Sequence, residues 1–373
     1  MRRNLPALRL GRWRTAAIAA SGVIAVAGLA VVAPGPAAAA APGLNTVIDA
    51  TSSKATCTKR PSIQPPPLGV VRSVPARDYA SQSTSAAGRI QPVCPLGEVP
   101  VVKGLSRRLP HGNPDQARRR VRPGSLAAVP APGPQIRRGP ICDGTSEDGS
   151  CFYWASASDI RADQGGGLTM TIERPSVVGA DPIGTGHSLE EMSVQAGPSY
   201  DNIVEVGSIV LSGETDPQLF VYHWVDGVQT CYDGCGYQQY SNTYYPGMDL
   251  SAMVGQSVYN GYVYYKGNWW AWFNDQWLGY FPGSLWDGQF QASQQVQWFG
   301  EVAATQFPPL TQMGDGLLAS DPAAAPMSTL CDVNAAAWRC FYYNQQSLYE
   351  SDAALYTIED AGFGAIRLGG SNP

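Results

Sequence analysis

From Cys142 onward, apolar and polar positions alternate in short runs separated by Gly, Asp, Asn and Pro. Strict alternation places every second side chain on one face of an extended chain. The runs predict strands at Leu168–Glu173, Met192–Ala196, Asn202–Leu211, Gln218–Val225, Gly261–Tyr265, Trp269–Phe273, Trp277–Phe281 and Gln294–Ala303. Short strands at this spacing predict an all-β chain, an antiparallel β-sandwich or jelly roll. His187–Glu191 reads either as a short helix, with Ser188 and Glu191 at capping-box spacing, or as a strand entry. Beyond Thr311 an aromatic cluster (Trp338, Phe341, Tyr342, Tyr343) and an extended segment Gly364–Leu368 are expected to complete the sheets.

Two strands carry an acid among hydrophobic neighbours. In QQVQWFGEV, Glu301 shares a face with Gln297 and Phe299, while Val296, Trp298 and Val302 take the other. In NIVEVGSIVL, Glu205 shares a face with Ile203, Gly207 and Ile209. A carboxylate in such company is costly unless partnered or protonated. Two facing carboxyls push their proton affinities apart and leave one acid and one base, the equipment for activating water against an amide or a glycosidic bond. Each glutamate lies near a glycine, and Gly300 is expected to let a bound peptide backbone approach.

Composition makes this an exported chain. Charged residues are only 15% of 373, and Gly (41), Pro (30) and Tyr (18) are abundant, a mixture that favours strands and turns over helices. Five arginines precede the apolar run Ala16–Ala33 and the Ala-rich stretch Ala37–Ala41. That is the layout of a cleaved signal peptide, residues 1–41, rather than of a stable membrane anchor. The net charge of −5 hides an asymmetry: up to Pro140 there are 20 Lys and Arg against 4 Asp and Glu, and beyond it 5 against 26. Residues 42–138, rich in Pro, with basic clusters at Arg107 and Arg108, Arg118–Arg120 with Arg122, and Arg137 and Arg138, read as a propeptide. It would dock by charge on an acidic domain, residues 139–373, and be cut near Arg138. Contacts to carboxylates loosen as these protonate, so activation is expected at low pH. The same clusters could in principle bind nucleic acid, but export and the acidic domain argue against it.

Eight cysteines in an exported chain predict disulfides in sequential order, Cys57 with Cys94, Cys142 with Cys151, Cys231 with Cys235, and Cys331 with Cys340. A zinc site at Cys231 and Cys235 is the weaker idea, since no histidine pair follows at ligand spacing. The three histidines, His111, His187 and His223, come with no G-x-S-x-G, H-E-x-x-H or P-loop motif. A triad using His187 or His223 thus lacks a signature, and His223 between Tyr222 and Trp224 reads as a structural strand histidine. No cofactor or metal is called for. Trp270 and Trp272 share one strand face and Trp269 and Phe273 the other, so one set packs inside and one could line a groove for prolines or sugars.

The motifs VEVGSIV, LFVYHWVDG, TCYDGCGY, GNWWAWF, WLGYFPGSLW and VQWFGEV resemble, in order, those of the neprosin family of glutamic peptidases, over about Leu168 to Ala304. The tail after Met313 is similar to that of actinobacterial members. The resemblance implies a secreted β-sandwich peptidase made as an inhibited zymogen, active in acid beside proline, with Glu205 and Glu301 as the catalytic pair. Gln297, Phe299, Gly300, Tyr222, Trp224, Trp270 and Trp272 are then the expected substrate-facing residues. The expected partners are a peptide or protein substrate and the chain's own propeptide, on a monomer. Ser208 and Thr230 stand where the family usually has Trp and often Gly, departures that bear on the groove rather than the chemistry. A secreted glycoside hydrolase or a non-catalytic carbohydrate-binding sandwich would also fit the residues alone.

Overall fold

The computed structural model describes residues 55–67, 91–102, 141–142, 151–178, 186–274, 276–304, 308–334, 339–342 and 347–371. The signal-like residues 1–41, His111, Trp338, Tyr343 and the basic clusters of the pro-segment lie outside them. In chain order the strands are β1 Ala55–Lys59, β2 Glu98–Val102, β3 Ile141–Cys142, β4 Cys151–Asp159, β5 Gly165–Thr171 and β6 His187–Ala196. They continue with β7 Asn202–Leu211, β8 Gln218–Val225, β9 Val228–Gln229, β10 Gln238–Gln239, β11 Ser257–Tyr265, β12 Asn268–Phe273 and β13 Gln276–Pro282. The last are β14 Gln295–Ala304, β15 Pro326–Asn334, β16 Arg339–Tyr342, β17 Tyr349–Glu350, β18 Tyr356–Asp360 and β19 Ile366–Gly370.

Two antiparallel sheets form a sandwich. The eight-stranded sheet runs β17-β4-β14-β6-β7-β8-β9 with β3 on β4; the nine-stranded sheet runs β10-β13-β12-β11-β5-β15-β19-β18 with β16 on β15. As expected, the tail completes both sheets. His187–Glu191 is strand, and the capping-box helix does not form: His187 to Gln195 each pair with both β7 and β14, and that two-sided ladder outweighs a local cap.

The alternation sorts side chains into three layers. Between the sheets lie Val204, Val206, Met192, Val296, Trp298 and Val302 from one side, and Leu168, Met170, Trp269, Ala271 and Phe273 from the other. Each such aliphatic or Phe side chain contributes roughly 1.5–3 kcal/mol. Trp298 also donates its indole N–H to the Gly167 carbonyl at 3.1 Å across the sandwich. A second cluster, with Ile203, Phe220, Tyr222, Trp224, Trp154 and Phe299, covers the outer face of the eight-stranded sheet. A third, with Tyr259, Trp270, Trp272, Trp277 and Tyr280, covers the outer face of the nine-stranded sheet.

Strands β1 and β2 pair as a small separate sheet closed by the Cys57–Cys94 disulfide. Val93 N–H donates to the Asn242 carbonyl at 2.9 Å, and the Asn242 amide exchanges hydrogen bonds with the Cys94 backbone. Arg60 lies 5.2 Å over the Tyr240 ring, a cation–π contact. A cavity of about 320 Å³ separates β2 from the Cys235–Tyr237 turn. Cys231 and Cys235 form a further disulfide, which removes the zinc alternative there, since their sulfurs bond each other. Cys151 and Cys331 are also disulfide-bonded; the side chains of Cys142 and Cys340 lie outside the described residues.

Candidate active site

The register brings both glutamates to the outer face of the eight-stranded sheet. Strand β6 runs between β14 and β7, with Leu189 opposite Glu301 and Ser193 opposite Glu205. The pair is thus staggered by four residues, roughly 13 Å at ~3.3 Å per residue. At the midpoint of that stagger stands Glu191, opposite Phe299 on one side and Gly207 on the other. It is a diagonal neighbour of each glutamate. All three are enclosed: Glu301 and Glu191 are 0% exposed and Glu205 1%.

Glu301 is gripped at both oxygens. Trp154 of β4, directly opposite it, donates its indole N–H to Oε2 at 2.6 Å, and His187 Nε2 lies 2.9 Å from Oε1. One indole donor and one imidazole nitrogen thus fix the two oxygens of Glu301 in place. Glu205 receives the Trp224 indole N–H at 3.3 Å. Its backbone is pinned from the opposite sheet, where Tyr262 OH donates to the Glu205 carbonyl at 3.1 Å. Trp224 is held in turn by Trp286, whose indole N–H donates to its carbonyl at 2.7 Å.

Tyr232 completes the face. It sits in the Cys231–Cys235 loop, which Asp233 ties to β8 by accepting from Val221 N–H at 3.1 Å and donating its own N–H to the Val221 carbonyl at 3.0 Å. The Tyr232 ring packs 4.8 Å from Tyr222, and Tyr222 stands opposite Glu205. Burial first, then the charges of Glu301, Tyr222, Glu191 and Glu205, push its hydroxyl well above the usual phenol range. One phenol thus senses all three glutamates and remains a neutral donor.

Of the expected substrate-facing residues, Gln297, Phe299, Tyr222 and Trp224 share this face with the glutamates. Gly300 does not: a Cβ there would point into the inter-sheet core, 2.7 Å from the Met313 side chain, so the glycine makes room for Met313 rather than for a peptide. Trp270 and Trp272 also fall elsewhere, on the far outer face of the sandwich; Trp269 and Phe273 are the set inside. Gly207 does admit a neighbouring backbone, that of β6, where a Cβ would meet the Glu190 carbonyl oxygen at 2.1 Å and Glu191 Cβ at 2.6 Å. His223 is structural as expected. It packs 4.5 Å from Phe281 with Thr230 Oγ1 3.0 Å from Nδ1, and burial lowers it to about 4.

Glu191, Trp154 and Tyr232 escaped the sequence reading. Glu191 had a local explanation as a helix cap, Trp154 lies in CFYWASASD, whose Ala and Ser mask the alternation, and Tyr232 was hidden in a cysteine loop.

The fold is similar to that of the crystal structure of Scytalido-glutamic peptidase with a peptide based transition state analog, at 9% identity and TM-score 0.33, covering 58% of this chain and 97% of that one. SCP-B, a member of the Eqolisin family of peptidases in a complex with the tripeptide Ala-Ile-His, matches at 9% identity and TM-score 0.32, covering 58% and 96%. A Bacillus licheniformis beta-glucanase matches at 10% identity and TM-score 0.25, covering 42% and 67%. The family model described as Neprosin matches residues 184–370, half of the chain. That span begins just before β6 and takes in Glu191, Glu205 and Glu301, the three glutamates described on the buried face, together with Tyr232. The chain belongs to the neprosin family.

Proposed function

We propose that this chain is a secreted glutamic endopeptidase, made as a zymogen, that hydrolyses peptide bonds beside proline in acid through Glu205 and Glu301. The observation that carries the reading is the enclosure of both carboxyls on one sheet face, each fixed by an indole N–H. Membership of the neprosin family supports peptidase chemistry, and disulfides suit an extracellular protein.

Glu301, held by Trp154 and His187, is the base. It takes a proton from water, and the resulting hydroxide attacks the scissile carbonyl carbon. Glu205, in the role of the acid, donates to the carbonyl oxygen as negative charge develops there. Glu301 then passes its proton to the leaving nitrogen, the C–N bond breaks while one hydroxyl of the diol intermediate returns its proton to Glu205, and both carboxyls regain their starting forms. With Glu191 between them, the protons belong to the group rather than to single residues.

The described glutamates are too enclosed for a peptide to reach, which supports a latent form. Acid would uncover them by protonating carboxylates that hold the pro-segment. The deciding experiment incubates the full chain between pH 3 and 7 and then supplies a proline-containing peptide or a polysaccharide panel. Peptide cleavage in acid, resistant to serine- and metalloprotease inhibitors and lost in Glu205→Gln and in Glu301→Gln, is expected. Near-normal cleavage by both variants, or sugar release, would refute it.

A further inference from the structure

Two side chains of the inter-sheet core reach the eight-stranded sheet from behind, and both end on the support of one glutamate. Tyr262 of β11 donates its hydroxyl to the Glu205 carbonyl at 3.1 Å. Trp286, in the short 3-10 turn Gly283–Trp286 that follows β13, donates its indole N–H to the Trp224 carbonyl at 2.7 Å. The Trp224 indole N–H in turn holds Glu205 Oε2 at 3.3 Å. One donor thus fixes the backbone that carries the carboxyl, and the other fixes the residue that grips it.

The neighbouring strands make room for this. Tyr262 stands opposite Gly166 on β5 and Ala271 on β12, and directly opposed residues of antiparallel strands share a face. Small neighbours on both sides let the phenol rise from its own sheet towards one packed about 10 Å away. A backbone carbonyl has two lone pairs, so that of Glu205 can serve a strand partner and the phenol together. Phe281 joins the two donors, its ring lying 6.4 Å from that of Tyr262 and 6.4 Å from that of Trp286. His223 closes the group at 4.5 Å from Phe281 and 5.5 Å from Trp286. Burial first, then Tyr237, Glu205, Glu191 and Asp233, push the Tyr262 hydroxyl well above the usual phenol range, so it stays a protonated donor in acid.

We infer that Tyr262 and Trp286 are positioning residues for the Glu205 carboxyl, acting from the nine-stranded sheet through the Glu205 backbone and through Trp224. Both lie in the inter-sheet core, behind the glutamate face, so neither meets substrate or a reacting atom. Their lever is geometric. The acid must lie within hydrogen-bond reach of the carbonyl oxygen, and a misplacement of about 1 Å can cost roughly a hundredfold in rate. The inference rests on the reading of Glu205 as the acid of the pair.

Tyr262→Phe and Trp286→Phe each keep a ring and remove one donor. Tyr356→Phe is the matched control: Tyr356 is as buried as Tyr262, and its hydroxyl donates to the Thr311 carbonyl at 2.7 Å, between segments that carry none of the three glutamates. After acid incubation of each full chain, steady-state cleavage of a proline-containing peptide is measured, with Tm as the gauge of folding. All three variants should lose about 2–4 °C in Tm. Tyr262→Phe and Trp286→Phe should also lose about tenfold in kcat with KM nearly unchanged, whereas Tyr356→Phe should keep the parent kcat. In a Glu205→Asp chain, whose carboxyl is already displaced, adding Tyr262→Phe should cost less than about twofold more, because its effect passes through that carboxyl. A kcat loss no larger than the control's, or a full tenfold loss repeated in Glu205→Asp, would overturn the inference. Parent-like turnover in both Glu205→Asp and Glu205→Gln is a separate result, which would overturn the reading of Glu205 and the inference with it.

Discussion

His187 Nε2 meets Glu301 Oε1 at 2.9 Å, with both side chains fully buried. Together with the Trp154 indole it leaves the proposed base one orientation. Removing a donor from a buried charged acceptor costs about 2 kcal/mol or more, so His187→Leu should cut kcat at least ~30-fold with a smaller change in KM. His187→Gln, which restores an N–H donor, should recover most of the rate with KM close to that of the parent. A variant that merely loosened the fold would not show the rescue.

Glu191 and Gly207 make a matched pair across β6 and β7. Gly207→Ala would force a Cβ to within 2.1 Å of the Glu190 carbonyl, and overpacking of this kind costs about 1–3 kcal/mol. Chemical denaturation should show that loss. Glu191→Gln keeps the volume and removes one of three neighbouring acids; the acidic limb of kcat/KM should move to lower pH as like-charge repulsion falls.

The Cys231–Cys235 bond closes so short a loop that it contributes only ~2 kcal/mol to stability, yet it positions Tyr232 over the glutamates. Replacing both cysteines by serine should lower kcat more than it lowers Tm, and Tyr232→Phe should reproduce the kinetic loss with the disulfide intact. Unchanged turnover in both would leave the loop a structural staple.

Asp332 predicts how stability follows pH. Burial, then a hydrogen bond to Asp159 and the Asp159 charge, push it up to about 9, with Arg161 opposing and Asp163 adding to the rise. Because the folded value is raised, its contribution is complete below the ordinary carboxylate range and drains away as pH climbs towards 9. His223, lowered to about 4 by burial, works in the other direction, its contribution being complete above about 6.5 and lost towards 4. Between pH 6.5 and 9 the histidine's share is constant, while those of Asp332 and of Glu190, whose carboxyl burial also pushes well above its ordinary range, decline, so Tm should fall over that window. Asp332→Asn should flatten the fall by at least ~3 °C, as calorimetry across the range would record.

Strands with strong alternation were legible because one face of each meets the inter-sheet core: β7 and β8 run Asn202–Leu211 and Gln218–Val225, the bounds expected from pattern alone. Strand β4 was not, because Ala155, Ser156, Ala157 and Ser158 give no hydrophobic contrast although every one is buried. Facing was readable along single strands, so Glu205 and Glu301 were found with their neighbours. Pairing between strands was not, and pairing decides that Glu191 stands between them and that Trp270 and Trp272 face away. Gly300 misled for the same reason: a glycine announces a close approach without saying from which side.

The eight-stranded sheet turns a mostly apolar face to the opposing sheet and carries Glu191, Glu205 and Glu301 with Trp154 and Trp224 on the other. Val204, Val206, Trp298 and Val302 carry the burden of staying folded, while their immediate chain neighbours include the proposed reacting groups. Substitutions that retune the reacting groups can therefore accumulate on alternate positions of β7 and β14 without passing through the packing that holds the sandwich shut.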